Sequence, residues 1–192
     1  MTNTTAKDLP RTSSCYARSA IEGTNSLREM DLNGKLNIRG DASEQKFVDG
    51  MSQVLEMDLP ISANSVNERG SQRLYCLGPD EWFLHCNLKS TDSLAQNLRE
   101  KLAGVHCAVT EVSDYYTVLR LSGPDAEGLL RRGTPLDLHH GVFKHDHTAQ
   151  TRFGHASILL HKLAEGEAWD IQVRWTYAEY LWDYLVSAMR SL

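Results

Sequence analysis

No stretch of the 192 residues approaches the run of ~20 apolar residues that a membrane-spanning helix needs, so none is expected. Lysine and arginine (20) are fewer than aspartate and glutamate (25), and no basic stripe is interleaved with aromatics. That balance argues against a nucleic-acid partner. The four cysteines (Cys15, Cys76, Cys86, Cys107) lie far apart with no C-x-x-C, which excludes the spacing of a disulfide framework or a zinc ribbon. They read as reduced thiols, three of them on expected strands. The opening "MTNTTAKDLPRTSSCYARSAIEGT" lacks the apolar core of a secretory signal and has no twin arginine, so a cytoplasmic location is expected. Also missing are G-x-G-x-x-G, a Walker A loop, H-E-x-x-H and G-x-S-x-G. The common routes to dinucleotide, triphosphate, catalytic zinc and a serine nucleophile are therefore closed.

What is present is an ordinary globular composition, 41% hydrophobic and 23% charged, on a chain long enough to build a core without staples. Residues 1–26 are rich in Thr, Ser, Asn and charge, and are expected to form a flexible arm, or one that orders only against a partner. Residues 27–192 read as a single α+β domain with an internal duplication, approximately 27–106 and 107–192.

In the first half, "LREMDL" and "KLNIRG" alternate as strands around Asn33-Gly34, a hairpin signal. Asp41, with Glu44 three residues on, is expected to cap a helix carrying Phe47, Val48, Met51, Val54 and Leu55 on one face. "QRLYCL" and "EWFLHC" flank the turn Gly78-Pro79-Asp80, and "TDSLAQNLREKLAG" is a helix starting at Thr91 or Asp92 and stopping at Gly104. In the second half, "CAVTEVS" and "YTVLRLSG" are strands. "PDAEGLLRRG" is a short helix with Pro124 in its first turn, and "TRFGHASILLHKL" and "AWDIQVRW" form a long hairpin around Glu165-Gly166. "TYAEYLWDYLVSAMRSL" closes the chain as a helix. Each half reads strand–helix–strand–strand–helix, preceded by one more strand. "NIRGDA" is echoed by "RLSGPDA", and Trp82 by Trp169 at the last strand of each half. Two intertwined ferredoxin-like units account for this order; two unrelated α+β halves are the alternative.

Four of the eight histidines, His139, His140, His145 and His147, fall within nine residues. His145 and His147 would share a face of a strand, while His139 and His140 would point apart. Asp137 and Asp146 could add carboxylates, but no ligand signature organises the group, and Gly141 and Lys144 suit a surface loop. "SGPDAEG" could offer a helix start to an anion, but the reading preferred is a strand-to-helix turn with Pro at the first helical position. No residue is assigned as catalytic, cofactor-binding or metal-ligating.

The last helix is more informative. At 100° per residue its apolar and aromatic residues, including Tyr177, Tyr180, Trp182 and Val186, cover about two-thirds of the circumference, whereas a helix on a sheet needs a stripe of only about 100°. The surplus either packs inside the same fold or forms a protein interface, for which Tyr177, Tyr180, Trp182 and Val186 are the candidates.

The phrases "LNIRGDA", "LGPDEWFL", "LSGPDAEGLLRRGTPLDLH", "QTRFGHASILL" and "IQVRWTYAEYLWDYL" together resemble the gamma-subunit family of heterotetrameric sarcosine oxidase. His139 falls within the family-like "DLH"; His140, His145 and His147 match no family pattern. Where that family commonly has an Arg-Ser-Phe-Ala-like phrase before the final helix, this chain has "RWTYAEY". The resemblance implies a fold like the folate-binding domain of the glycine-cleavage T-protein. It further implies an assembly subunit, without catalytic residues, of a complex that oxidatively demethylates sarcosine to glycine with hydrogen peroxide. The one-carbon unit would pass to tetrahydrofolate. The alpha, beta and delta subunits are implied as partners, carrying FAD, FMN, NAD, zinc and tetrahydrofolate. A corresponding subunit of an N-methylglutamate dehydrogenase-type complex, a free-standing folate-binding protein, and a metal-dependent hydrolase built on the histidine loop are the alternatives.

Overall fold

In the computed structural model, residues 12–164 and 167–192 are described. Among the described residues, ten strands form two five-stranded, wholly antiparallel sheets, with two helices outside each sheet. The first sheet has the order β3-β4-β5-β2-β6, built from β2 (Gly34–Arg39), β3 (Val66–Arg69), β4 (Gln72–Gly78), β5 (Glu81–Cys86) and β6 (Ala108–Glu111). The second runs β1-β7-β10-β9-β8, from β1 (Ser26–Glu29), β7 (Tyr116–Ser122), β8 (Thr148–Phe153), β9 (Ala156–Lys162) and β10 (Ala168–Arg174). Helices α1 (Gln45–Leu55) and α2 (Thr91–Lys101) cover the first sheet. Helices α3 (Ala126–Arg131) and α4 (Trp175–Met189) cover the second.

The duplication is visible in the register. Ile38 of β2 pairs Trp82 of β5, and at the matching place Leu121 of β7 pairs Trp169 of β10. Each tryptophan is buried in the helix-side core of its own sheet. The strand preceding each unit crosses over: β1 pairs with β7 of the second sheet, and β6 pairs with β2 of the first. This exchange is what makes the two units intertwined, since each sheet takes an edge strand from the other half of the chain.

Three details depart from the sequence expectations. The Asn33-Gly34 hairpin does not form, because β1 and β2 belong to different sheets. Neither residue has the positive φ that such a turn requires. Gly34 serves close packing instead: a Cβ there would lie 1.8 Å from Thr91 Oγ1. Asp41 does not cap α1. Its carboxylate accepts from the Ser43 amide at 2.8 Å and the Ser43 hydroxyl at 2.7 Å, closing a local turn, and Glu44 becomes the N-cap. Finally, each unit has one more strand than expected. β3, for which no strand was expected, turns into β4 at Gly70 (φ +59), and the single strand expected over "TRFGHASILLHKL" is divided into β8 and β9 by a turn at Gly154 (φ +55). The turn expected at Glu165-Gly166 lies outside the described residues, although its flanking strands β9 and β10 pair as a hairpin. The hairpin at Gly78-Pro79-Asp80 and the start of α2 at Thr91 match the sequence reading.

Of the stretch read as an arm, residues 12–25 are described, and several lie against the helix side of the second sheet. Cys15 is buried in that core, and its amide donates to Glu29 Oε2 at 3.1 Å. Arg18 bridges Asp183 of α4 at 2.9 Å, and Ile21 pairs with Leu27. Gly123, the echo of Gly40, is held tightly here: its φ is +121, and a Cβ would lie 2.4 Å from the Thr24 carbonyl oxygen. Backbone cannot yield as a flexible side chain can, and a left-handed φ strains any L side chain. Gly123→Ala is therefore expected to lower stability by at least ~2 kcal/mol in urea unfolding, above the usual cost of a point change.

Candidate functional site

Strand alternation divides each sheet cleanly. In β10, Trp169, Ile171 and Val173 enter the helix-side core, so Asp170, Gln172 and Arg174 face the other sheet. In β5, Trp82, Leu84 and Cys86 face the helices, leaving Glu81, Phe83 and His85. The layer between the sheets has only a small apolar cluster, Tyr75, Phe83 and Leu159, with Val66, Leu77, Val112 and Tyr116 against it. The rest is polar. Asp170, 6% exposed, joins the sheets: Arg120 of its own sheet donates to it at 2.6 and 2.7 Å, and Arg73 of the other at 2.9 Å.

Burial sets the protonation of this layer. His85 is pushed down to about 3 by desolvation and then by the Lys35 charge. His161 is pushed down to about 4 by desolvation and the Arg73 guanidinium. Both are neutral at pH 7. The proton on His85 Nε2 then faces the Gln172 carbonyl at 2.5 Å, and His161 Nδ1 lies 3.4 Å from the Tyr75 hydroxyl. Lys35, 1% exposed, has its ammonium lowered to about 8 by burial and donates to Asn33 Oδ1 at 2.5 Å.

Between the sheets lies a cleft of about 460 Å³. Its walls include Asn37, Glu81 and Phe83 from the first sheet, and Arg152, Ser157, Leu159, Gln172 and Arg174 from the second. Sequence reasoning missed it because its residues come from seven strands and no two of its charged groups are near neighbours in the chain. The alternation of β10 was the one available signal, since "AWDIQVRW" places Asp, Gln and Arg together on a face opposite Trp, Ile and Val.

The residues singled out in the sequence go elsewhere. His139, His140, His145 and His147 are exposed in a loop, and three of them use Nδ1 locally. The Gly141 amide donates to His139 at 3.2 Å and the Lys144 amide to His147 at 3.4 Å, while His145 meets the Leu163 carbonyl at 2.9 Å. Among the described residues no three His, Cys, Asp or Glu side chains are grouped to hold a metal. All four thiols are raised, chiefly by desolvation, Cys15 to about 11, which makes them poor nucleophiles. No helix among the described residues is long and apolar enough to cross a membrane.

On α4, Trp182 is a correction to the interface reading. It is 3% exposed and belongs to the core with Ala178, Leu181, Leu185 and Cys15. The surplus apolar arc is taken up by the chain itself. Residues 15–21 lie along the Trp182–Val186 side, where Arg18 meets Asp183 and Ile21 shares a groove with Val186. On the other side, the Tyr184 hydroxyl donates to the Arg132 carbonyl at 3.1 Å, and its ring stands edge-on to Phe153. Tyr180 is half-buried with its hydroxyl over Gly154, and only Tyr177, at 39%, is well exposed.

A model of the sarcosine oxidase gamma subunit family matches residues 39–190. The chain belongs to that family. Sarcosine oxidase subunit gamma of Corynebacterium sp. (strain P-1) is 30% identical over 176 residues, covering 90% of this chain and 84% of that protein. The Arthrobacter sp. protein of the same name is 33% identical, again covering 90% and 84%. A chain of heterotetrameric sarcosine oxidase from Corynebacterium sp. U-96, solved in complex with pyrrole 2-carboxylate, superposes with a TM-score of 0.85 at 25% identity. That match covers 94% of this chain and 95% of the other. The glycine cleavage aminomethyltransferase T of Bartonella henselae shares the fold, with a TM-score of 0.62 at 17% identity over 83% of this chain and 45% of that one. Both the intertwined pair of units and the likeness to the T-protein therefore stand.

The polar layer sets the acid limit of this fold. A histidine held neutral when folded is protonated first in the unfolded chain, so stability is full above about pH 6.5 and falls as pH drops toward the folded values. For His161 and His85 that window runs from about 6.5 to about 4 and about 3. Each adds roughly 1.4 kcal/mol per pH unit to the slope inside its window. His161→Gln is expected to give a shallower loss of stability between pH 6 and 4 in chemical denaturation than the native chain.

Proposed function

We propose that this chain is the gamma subunit of a cytoplasmic, heterotetrameric oxidase that demethylates sarcosine to glycine, releasing hydrogen peroxide and passing the one-carbon unit to tetrahydrofolate. The observation that carries this reading is the superposition on a chain of a heterotetrameric sarcosine oxidase along nearly the full length of both, within a shared family. The alpha, beta and delta subunits supply FAD, FMN, NAD, zinc and the folate site. This chain supplies structure. Its thiols are masked, its buried histidines are neutral, and the histidine loop spends its ring nitrogens on turns.

Among the α4 candidates, Tyr177 and the outer edge of Tyr180 are the ones a partner subunit can reach, with half-buried Val186 at the margin. Trp182 acts through folding. Residues 27–192 behave as one domain, because the exchanged β1 and β6 tie the two sheets together, and the stretch 1–26 adds a candidate contact for partner subunits.

Co-expressed with the large subunits, the chain is expected to co-purify at a fixed stoichiometry and to support sarcosine-dependent peroxide formation; alone it shows neither bound flavin nor turnover. Oxidation of sarcosine by the chain alone would overturn the assignment. Tyr177→Ala should change chain stability by less than about 0.5 kcal/mol yet weaken assembly about tenfold. Trp182→Ala should cost the chain itself ~3–5 kcal/mol in denaturant unfolding, with any assembly defect following from that loss.

A further inference from the structure

The cleft between the sheets has the make-up of a small-molecule site, and its chemistry follows from strand register. Arg152 pairs across to Ser157 on β9, and Ile158 pairs with Val173, which sets Ser157 beside Arg174 on β10. The two arginines therefore flank one small side chain on the same sheet face, their Cα atoms two strands or ~10 Å apart. Side chains of that length can converge on one group above Ser157. Arg152 makes no ion pair or side-chain hydrogen bond among the described residues, whereas Arg174 stacks over Tyr115 at 5.2 Å and hydrogen-bonds the Tyr116 side chain. The carboxylate on the opposite wall, Glu81, is already engaged by Asn37 at 2.6 Å and Arg39 at 3.5 Å. Two arginines, one unengaged and one held by neutral tyrosines, thus line an opening in a chain whose net charge is −5.

One row deeper, Gln150, Leu159 and Gln172 stand side by side beneath the arginines. Leu159 and Phe83 of the opposite sheet make an apolar floor. Gln172 is 6% exposed, and its carbonyl is held by His85 at 2.5 Å. Its side-chain amide borders the cleft. Below the cationic rim, amide and apolar side chains therefore share one row.

We propose that this cleft binds a small organic carboxylate, its carboxylate held between Arg152 and Arg174 over Ser157 and its apolar body resting against Phe83 and Leu159. Guanidinium forks favour the planar carboxylate, and the floor favours a flat, apolar body over a fully hydrated ion. This assignment is independent of the role in assembly, and either can fail without the other.

The test uses the full chain with three probes: benzoate, its neutral isostere benzamide, and inorganic phosphate. Binding is followed by the Nε–Hε signals of the arginine side chains in ¹⁵N NMR and by thermal shift. Benzoate should move the Arg152 and Arg174 signals and raise the melting temperature, with benzamide and phosphate at least about tenfold weaker. Arg152→Ala or Arg174→Ala should each weaken benzoate about tenfold or more. Both side chains are exposed, so circular dichroism should show unchanged folding. Ser157→Phe keeps both charges but fills the space between them, and should abolish binding. The proposal is overturned if benzoate gives no shift at tens of millimolar or binds no better than benzamide. It is equally overturned if phosphate matches benzoate, or if Arg152→Ala and Ser157→Phe bind as the native chain does.

Discussion

Asp170 is the point on which the two halves of this molecule depend. A carboxylate in the middle of β10, nearly out of contact with water, is tolerable only because guanidinium groups from both sheets close on it. Arg120 comes from the neighbouring strand and Arg73 from the opposite sheet, so the charge is satisfied only when the sheets are correctly apposed. An apolar layer would have allowed the sheets to slide. The triad, together with the His85–Gln172 and Tyr75–His161 pairs, admits one apposition.

The strand exchange works to the same end. β1 and β6 each leave their own half to complete the other sheet, so neither unit has a complete sheet until both are built. Glu29 at the end of β1 then becomes a local hub. It accepts from the Thr117 hydroxyl at 2.6 Å, from the Ser14 hydroxyl at 2.8 Å and from the Cys15 amide, which draws the N-terminal segment onto the flank of α4. The segment covers Trp182 with the chain's own residues and leaves Tyr177 outside. In a subunit whose relatives occur in a heterotetramer, a sealed core and a few exposed aromatics suit a folded piece that docks, rather than one that folds only on docking.

Much of this was legible in the chain. Helix and strand periodicities placed all four helices and eight of the ten strands, because each has a continuous apolar core behind it: Phe47, Met51 and Leu55 on α1, for instance, and Trp169, Ile171 and Val173 on β10. The echo of Gly40 in Gly123 and of Trp82 in Trp169 exposed the duplication, since equivalent places in the two units face equivalent packing. The motif phrases carried the family. The absence of ligand spacing around His145 and His147 pointed to a loop, which is where they lie.

Tertiary structure alone decided the rest, and the reason is range. Whether Asn33-Gly34 closes a hairpin depends on which sheet receives β1, and that is set by Leu27 and Glu29 meeting Leu121 and Thr117 some ninety residues away. Whether Trp182 faces a partner or a core depends on the path of residues 15–21, which no helical wheel contains. The cleft depends on the opposition of two sheets, each contributing side chains that appear along the sequence as isolated polar residues on alternating strands. Local pattern is written by local physics: periodicity, caps and turns. Partnership between segments far apart in the chain is settled only when burial makes one arrangement of charges and strand edges satisfiable.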